Sequence, residues 1–405
     1  MLMNINKSNY KPFLEVLFVA IPFIWLATGF QWDGDGEMRL LIALIPILIW
    51  SLLGNRAKNE FKEFLADRWL QLIACLIVLV SISYLTYGHS SRELRGLVAV
   101  FLLLILTPRT FFNTNNYSWF ILFYAISSCA LTYYFTTIEV TNRGAWPVNA
   151  VPFATNIGLC IIMTSSVVYK YKLTVEQKFR CITAIIALII ALINSQSRGP
   201  ILALSFVSVV FVLYIVITNT SALKYKAIIV LSFITVVAVI VQVPSINNRI
   251  GATLSEVKSI QDGNFKGSIG IRLSMYKTGY QIFKQAPIIG IGKDGIDRTL
   301  DQMLSESLIS PSVHRYARMT LHNGYLDYLV RNGVVGLIVF LMVLISPLAI
   351  IKNNGNKDIG AVLALCTFLA VCNVSDFPFI NAQCVVMYFL LIGFCLLTFV
   401  QNKTE

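Results

Sequence analysis

The chain has 405 residues, of which 57% are hydrophobic and 13% charged. Soluble domains carry about 25% charged residues, so a water-covered globular surface is excluded. At about 20 residues per spanning helix, the apolar content suffices for roughly eleven or twelve spans. A net charge of +12, from 32 basic and 20 acidic residues, would suggest nucleic acid in a soluble protein; in a multi-pass protein, cytoplasmic lysines and arginines account for it.

Taken in chain order, apolar runs predict spans at 13–30, 39–54, 69–87, 95–108, 117–138, 152–169, 181–195, 200–218, 227–243, 333–351, 359–375 and 382–400. Lys7 and Lys11 precede the first run, and no small-residue cleavage site follows it, so it reads as a span rather than a signal peptide. The eight cysteines lie scattered in apolar stretches without a CxxC and read as small hydrophobes. Twelve spans place both termini on one side. That side collects sixteen basic residues, among them Lys58, Lys178 and Lys224. The opposite short loops hold five: Arg39, Arg92, Arg95, Arg143 and Arg198. This asymmetry predicts cytoplasmic termini. The predicted organisation is spans one to nine over 1–243, an outer helical segment over 244–332, and spans ten to twelve over 333–405.

The outer segment is far longer than a connection requires, which marks it as functional. Leu273, Tyr276, Tyr280 and Phe283 repeat at helical spacing, with Lys277, Gln281 and Lys284 on another face. This predicts an amphipathic helix, either lying at the membrane surface or packed on the tops of the spans. No internal repeat is evident, which weighs against the inverted-repeat build of secondary transporters.

Four groups of residues could carry chemistry. Arg198 stands in a polar break, Asn194 to Pro200, between two apolar runs. An arginine at the membrane edge is costly unless it is paired or faces a wet cavity, or unless it snorkels from a turn. Its planar fork suits phosphate oxygens. In the outer segment, Arg272 and Tyr276 share a helix face. The Gly290-Ile291-Gly292 stretch beyond them offers either an anion-binding turn or plain turn geometry. His322 opens His322-Asn323-Gly324 ahead of the tenth span, where a helix N-terminus disfavours the imidazolium and leaves a neutral base. His89 and His314 read as structural, with His314 a secondary candidate by proximity. Asp33-Gly34-Asp35 reads as a turn or as a cation site. Asp376 is a carboxylate that could orient His322, bind sugar hydroxyls, or simply be solvated.

The pattern His322-Asn323, nine residues, Gly333, two residues, Gly336 resembles the signature of the O-antigen ligase and polymerase superfamily. With three histidines and 23 glycines in 405 residues, the full pattern is not expected by chance. The Arg272-x-x-x-Tyr276 helix leading to Pro-Ile-Ile-Gly-Ile-Gly, the Ser-Arg-Gly at Arg198 and the twelve-span topology resemble that family as well. The resemblance implies an all-α polytopic, GT-C-like protein of a Gram-negative inner membrane with its active site facing the periplasm. It implies an inverting glycosyltransferase that needs neither metal nor cofactor. The implied donor is an O-antigen on undecaprenyl pyrophosphate, and the ligase's acceptor is the lipid A core oligosaccharide. Membrane lipids are the further partners and nucleic acid is not. Carried over, Arg198 and Arg272 would hold the pyrophosphate, with Tyr276, Gly290 and Gly292 beside it, and His322 would be the base, with Asn323 adjoining. An O-antigen polymerase or a protein O-oligosaccharyltransferase of the same superfamily fits these motifs too. A lipid-linked glycan flippase is a reading from another class.

Overall fold

The computed structural model describes residues 10–53, 62, 64–88, 91–218, 244–353 and 359–401. Among these residues the secondary structure is helical throughout, without strands. The first half supplies α1 (Tyr10–Thr28), α2 (Gly36–Ala43), α3 (Ile45–Leu53), α4 (Arg68–Tyr87), α5 (Ser91–Leu106), α6 (Thr114–Tyr133), α7 (Ala150–Lys170), α8 (Val175–Ser195) and α9 (Arg198–Thr218). The second half supplies α10 (Pro244–Gln261), α11 (Ser268–Phe283), α12 (Gly292–Ser305), α13 (Pro311–Ala317), α14 (Gly324–Asn353), α15 (Ile359–Ser375) and α16 (Ala382–Gln401).

Among the described residues, six stretches are long and apolar enough to cross a membrane: 36–53, 68–86, 114–138, 150–170, 175–195 and 324–352. Shorter apolar helices occupy 14–28, 198–213, 359–375 and 382–396. The protein is thus an all-helical, multi-pass membrane protein. The ninth predicted span, 227–243, lies outside the described residues, as do Lys7, Lys58, His89 and Lys224.

Local chemistry explains where the helices begin and break. Asp67 caps α4 by accepting from the amides of Trp69 and Leu70 at 2.8 and 3.2 Å. A Thr174–Gln177 capping box starts α8 at Val175, six residues before the predicted boundary of 181. The second predicted span is two helices, because Pro46 interrupts the backbone ladder after α2.

The middle of the bundle is α16, whose residues 382–396 are all buried, flanked by α7, buried from 152 to 164. Helices that are apolar on every side belong inside. α5 and α7 pack on α16, and α8 packs on α6 and α7. Outward faces remain apolar, as at Leu53, Leu85, Ile182, Leu202 and Met342, consistent with a lipid surround. The predicted outer loops converge at one end, where Arg143 reaches Ser195 and Gln383 reaches Asp33. The predicted inner loops converge at the other, where Arg109 pairs with Asp67 at 2.9 Å and Arg180 reaches Asn115.

The 244–332 segment has a small hydrophobic core of its own. Met275 and Ile282 of α11, Ile296 and Leu300 of α12, and Val313 of α13 close over Leu321 and Val330. Each such side chain, fully buried, contributes about 1.5–3 kcal/mol. This packing corrects the predicted apolar face of α11. The helix buries Met275, Thr278, Gly279 and Ile282, whereas Leu273 and Tyr280 point outward. Lys284 lies over the Tyr280 ring at 4.5 Å.

Candidate functional site

The site is built around the start of α14. Asn323 accepts from the amide of Leu326 at 3.0 Å and so acts as the N-cap. His322, just before it, has φ of +53°. A non-glycine residue in the left-handed region carries strain, and such conformations persist where surrounding contacts over-determine them. Here the surrounding contacts are several. The His322 amide donates to Thr320 Oγ1 at 3.1 Å. Buried Asp327 accepts from Thr320 Oγ1 at 2.8 Å and from the Leu321 amide at 3.0 Å. Arg331 closes the set, pairing with Asp327 at 3.4 Å and donating to the Met319 carbonyl at 3.2 Å. The Tyr276 hydroxyl donates to the carbonyls of His322 and Val374 at 3.0 and 3.2 Å. Burial pushes the Tyr276 phenol above its ordinary pKa, which keeps it a donor.

The imidazole of His322 is oriented from the far side. Its Nδ1 lies 3.0 Å from Oδ1 of Asp376, a buried carboxylate just after α15, whose backbone carbonyl accepts from the Gly324 amide at 2.9 Å. A carboxylate at Nδ1 favours the tautomer protonated there, which leaves Nε2 with its lone pair.

His322 lines a cavity of about 340 Å³, together with Arg272, Ser268, Asn142, Arg143 and Asn149. Two guanidinium groups and no described carboxylate line it, so it suits an anion. Arg198 is not part of that lining. It begins α9 at the adjoining turn, where Arg143 Nη1 donates to the carbonyls of Ser195 and Gln196 at 3.1 and 2.8 Å. Ser197 Oγ donates to the Ala150 carbonyl at 2.9 Å. Although no acidic residue is near it in sequence, Arg198 pairs with Glu256 of α10 at 3.4 Å. The other oxygen of Glu256 accepts from the Ile269 amide in the first turn of α11 at 2.6 Å. Glu256 therefore links Arg198 to the helix that carries Arg272.

Other predicted positions fall elsewhere. Gly290 and Gly292 take φ of +70° and +65°, and Gly290 is a packing device. The Gly290 amide donates to Ala286, and the Ile291 amide donates to Val330 at 3.1 Å. A Cβ on Gly290 would stand 2.4 Å from the Arg331 carbonyl. The 287–291 turn docks into a break in α14 at Gly333, where Val334 and Val335 donate to Pro287 and Ile288 at 2.9 and 3.3 Å. The Gly290 and Ile291 amides are thus consumed within the protein, contrary to the expectation of an anion-binding turn with these amides open. Asp33 pairs with Arg39 at 2.6 Å and caps its own turn at the Asp35 amide. Asp35 lies 3.7 Å from Arg95. The pair is matched to cations of its own chain, and no cluster of three or more metal-ligating side chains occurs among the described residues. His314 sits on α13, 2.7 Å from Asp301 of α12.

Sequence reasoning missed Arg143, Glu256, Asp327 and Arg331 as site residues. The i,i+4 spacing of Asp327 and Arg331 was a usable signal. Arg143 and Glu256 had none, because Arg143 binds carbonyls 52 and 53 positions away and Glu256 meets Arg198 across 58 positions.

Residues 183–341 match the family model Wzy_C, described as O-antigen ligase. An uncharacterized protein of Haemophilus influenzae is 26% identical over 139 residues, which is 34% of this chain and 34% of that protein. The match thus spans about a third of that relative's length. Arg198, Arg272 and His322 all lie inside the family match, and Asp376 lies beyond it. The protein is therefore a multi-pass membrane protein whose residues 183–341, from within α8 to within α14, match the O-antigen ligase family model.

Proposed function

We propose that the protein is an O-antigen ligase, which transfers O-antigen polysaccharide from undecaprenyl pyrophosphate to the lipid A core oligosaccharide. It would do so on the periplasmic face of a Gram-negative inner membrane, with both termini cytoplasmic. The observation that carries this reading is the His322–Asp376 pair facing a cation-lined cavity with Arg272.

His322 Nε2 takes the proton of the acceptor hydroxyl while that oxygen attacks the anomeric carbon of the donor sugar. The glycosidic bond to the pyrophosphate breaks as the new bond forms, so the anomeric configuration inverts. Asp376 stabilises the imidazolium that results. The departing pyrophosphate gains one negative charge, which Arg272 and Arg198 offset by charge-assisted hydrogen bonds in place of a divalent cation. Tyr276 holds the His322 carbonyl, Asn323 caps α14 and donates to the Val374 carbonyl, and neither meets the reacting atoms.

The test is transfer by the purified protein from a polyprenyl-pyrophosphate glycan to lipid A core in EDTA without nucleotide. Product formation there supports the ligase. Lengthening of the lipid-linked glycan instead would make the protein a polymerase, modification of a polypeptide would make it a protein O-oligosaccharyltransferase, and absence of any transfer would sink the enzyme reading.

A further inference from the structure

α11 begins without a cap of its own. Gly267 stands at the N-cap and has no side chain to offer, and Glu256 of α10 fills the place, its Oε1 accepting from the Ile269 amide at 2.6 Å. Position 267 must be bare for this, because a Cβ there would collide with that carboxylate. The other oxygen of Glu256, Oε2, lies 3.4 Å from Nη1 of Arg198. A guanidinium on one side and an amide in the first turn of a helix on the other make good partners for any anion. Glu256 therefore occupies the cation that the donor's pyrophosphate would need. Arg272, one turn further along α11, lines the cavity together with Ser268.

Little else fastens α10. None of residues 251–262 is buried: Thr253, Glu256, Ser259 and Ile260 form a half-buried row, while Leu254 and Val257 face outward. A Cβ on Gly251 would meet nothing within 4 Å. So little apolar burial contributes little stability, and the Glu256 contacts carry a large share of the docking of α10 on α8 and α11.

We infer that Glu256 is an internal competitor of the donor: its carboxylate and a lipid-linked pyrophosphate take turns on Arg198, and arrival of the pyrophosphate releases α10 from the head of α11. The inference rests on the reading of Arg198 as a donor ligand given above. The step exchanges one anion for another at the same cation and makes or breaks no covalent bond. Because the pair must open before the donor binds, Glu256 lowers donor affinity by the fraction of time that it holds Arg198. The same competition eases departure of the pyrophosphate left after transfer.

The test is binding of farnesyl pyrophosphate to the full chain in detergent, read by titration calorimetry. Glu256→Gln keeps the side-chain length and an oxygen for the Ile269 amide but removes the competing charge. It should bind at least about tenfold tighter than wild type, about 1.4 kcal/mol. A residue that merely positions Arg198 would give the opposite sign, since its loss would free the guanidinium and weaken binding. Equal or weaker binding by Glu256→Gln therefore overturns the proposal. Arg198→Ala should bind more weakly than wild type, and adding Glu256→Gln to it should bring no gain; a gain that persists there overturns the proposal as well. Unchanged affinity of Arg198→Ala would sink the donor role of Arg198 and the competition with it, whereas weakened binding by that variant without a gain in Glu256→Gln sinks the competition alone. The wild-type protein supplies a measurement that no variant's folding can spoil. Saturating farnesyl pyrophosphate should speed amide hydrogen exchange across 251–262 at least about threefold, and unchanged or slower exchange there overturns the release of α10.

Discussion

His322 Nδ1 and Asp376 Oδ1 lie 3.0 Å apart although 54 positions separate them. The pairing joins the first residues of α14 to the end of α15, and the Asp376 carbonyl strengthens the junction by accepting from Gly324. A base held this way from behind is fixed in both tautomer and direction. His322→Ala should reduce transfer about 10²–10⁴-fold, the usual worth of a general base. Asp376→Asn, which keeps the shape but not the charge, should lower kcat about 10–100-fold, the scale of losing a group that orients another. Both variants should insert normally. Single-turnover transfer by purified protein is the measurement, and unchanged rates in Asp376→Asn would remove the carboxylate from the mechanism.

Tyr276→Phe deletes one hydroxyl that holds two carbonyls, those of His322 and Val374. Each lost hydrogen bond is worth about 0.5–1.5 kcal/mol, and the strained His322 backbone depends on one of them. We expect kcat to fall several-fold to about tenfold while donor affinity changes little. A fall in affinity with kcat intact would instead put Tyr276 in direct contact with the donor.

Arg198→Ala and Arg272→Ala should each leave the protein inserted and yield lipopolysaccharide without polymer, with the polymer stranded on its lipid carrier. Arg272→Lys keeps the charge but loses the fork, and should recover only part of the activity. Silver-stained lipopolysaccharide ladders from a deletion strain carrying each variant read the outcome. Normal ladders from either alanine variant would exclude that arginine from donor binding.

Gly333 has φ of +63°, and a Cβ there would stand 2.1 Å from the Ile288 carbonyl. Gly333→Ala therefore combines left-handed strain with a backbone collision, and should destabilise by at least about 1–3 kcal/mol. The 287–291 turn would be expelled from the break in α14, so thermal melting in detergent should shift downward and the amount of protein in membranes should fall. Gly360→Ala, where a Cβ meets nothing within 4 Å, is the matched control and should melt as wild type.

Hydrogen bonding to His314 and the nearby Arg318 hold the Asp301 carboxyl below its ordinary value of 3.8. A depressed folded-state pKa contributes stability above the unfolded value, and this contribution is lost as pH falls through the folded value. The α12–α13 contact should therefore weaken only below about pH 4. Asp301 is exposed to solvent, so the effect is small. Asp301→Asn should lower the melting temperature slightly at neutral pH, where the contribution is present, and flatten the acid side of the profile, as measured by melting temperature between about pH 3 and 7.

Composition and apolar runs were enough to read the multi-pass helical class, because lipid demands long apolar helices and that demand is written locally in each segment. The motif around His322 was legible for a similar reason. Its glycines answer to a local backbone need, the break in α14 at Gly333 and the close approach at Gly336 to Asn332. What those glycines accommodate was not legible. Gly290 and Gly292 looked like an anion-binding turn, yet Ala286 and Val330 take the amides of Gly290 and Ile291. The stripe Leu273, Tyr276, Tyr280 and Phe283 had helical period but did not predict the face that packs. Gly279 admits Leu321 and Leu326 closely, which turns Met275 and Ile282 inward.

The sequence by itself determined the helical membrane class and the histidine at the head of α14. Only the tertiary structure decided the partners: Asp376 for His322, Glu256 for Arg198, and the carbonyls of Ser195 and Gln196 for Arg143. Hydropathy and capping act between residues a few positions apart. Ion pairs and cavities depend on which helix ends meet, and packing of the whole bundle sets that.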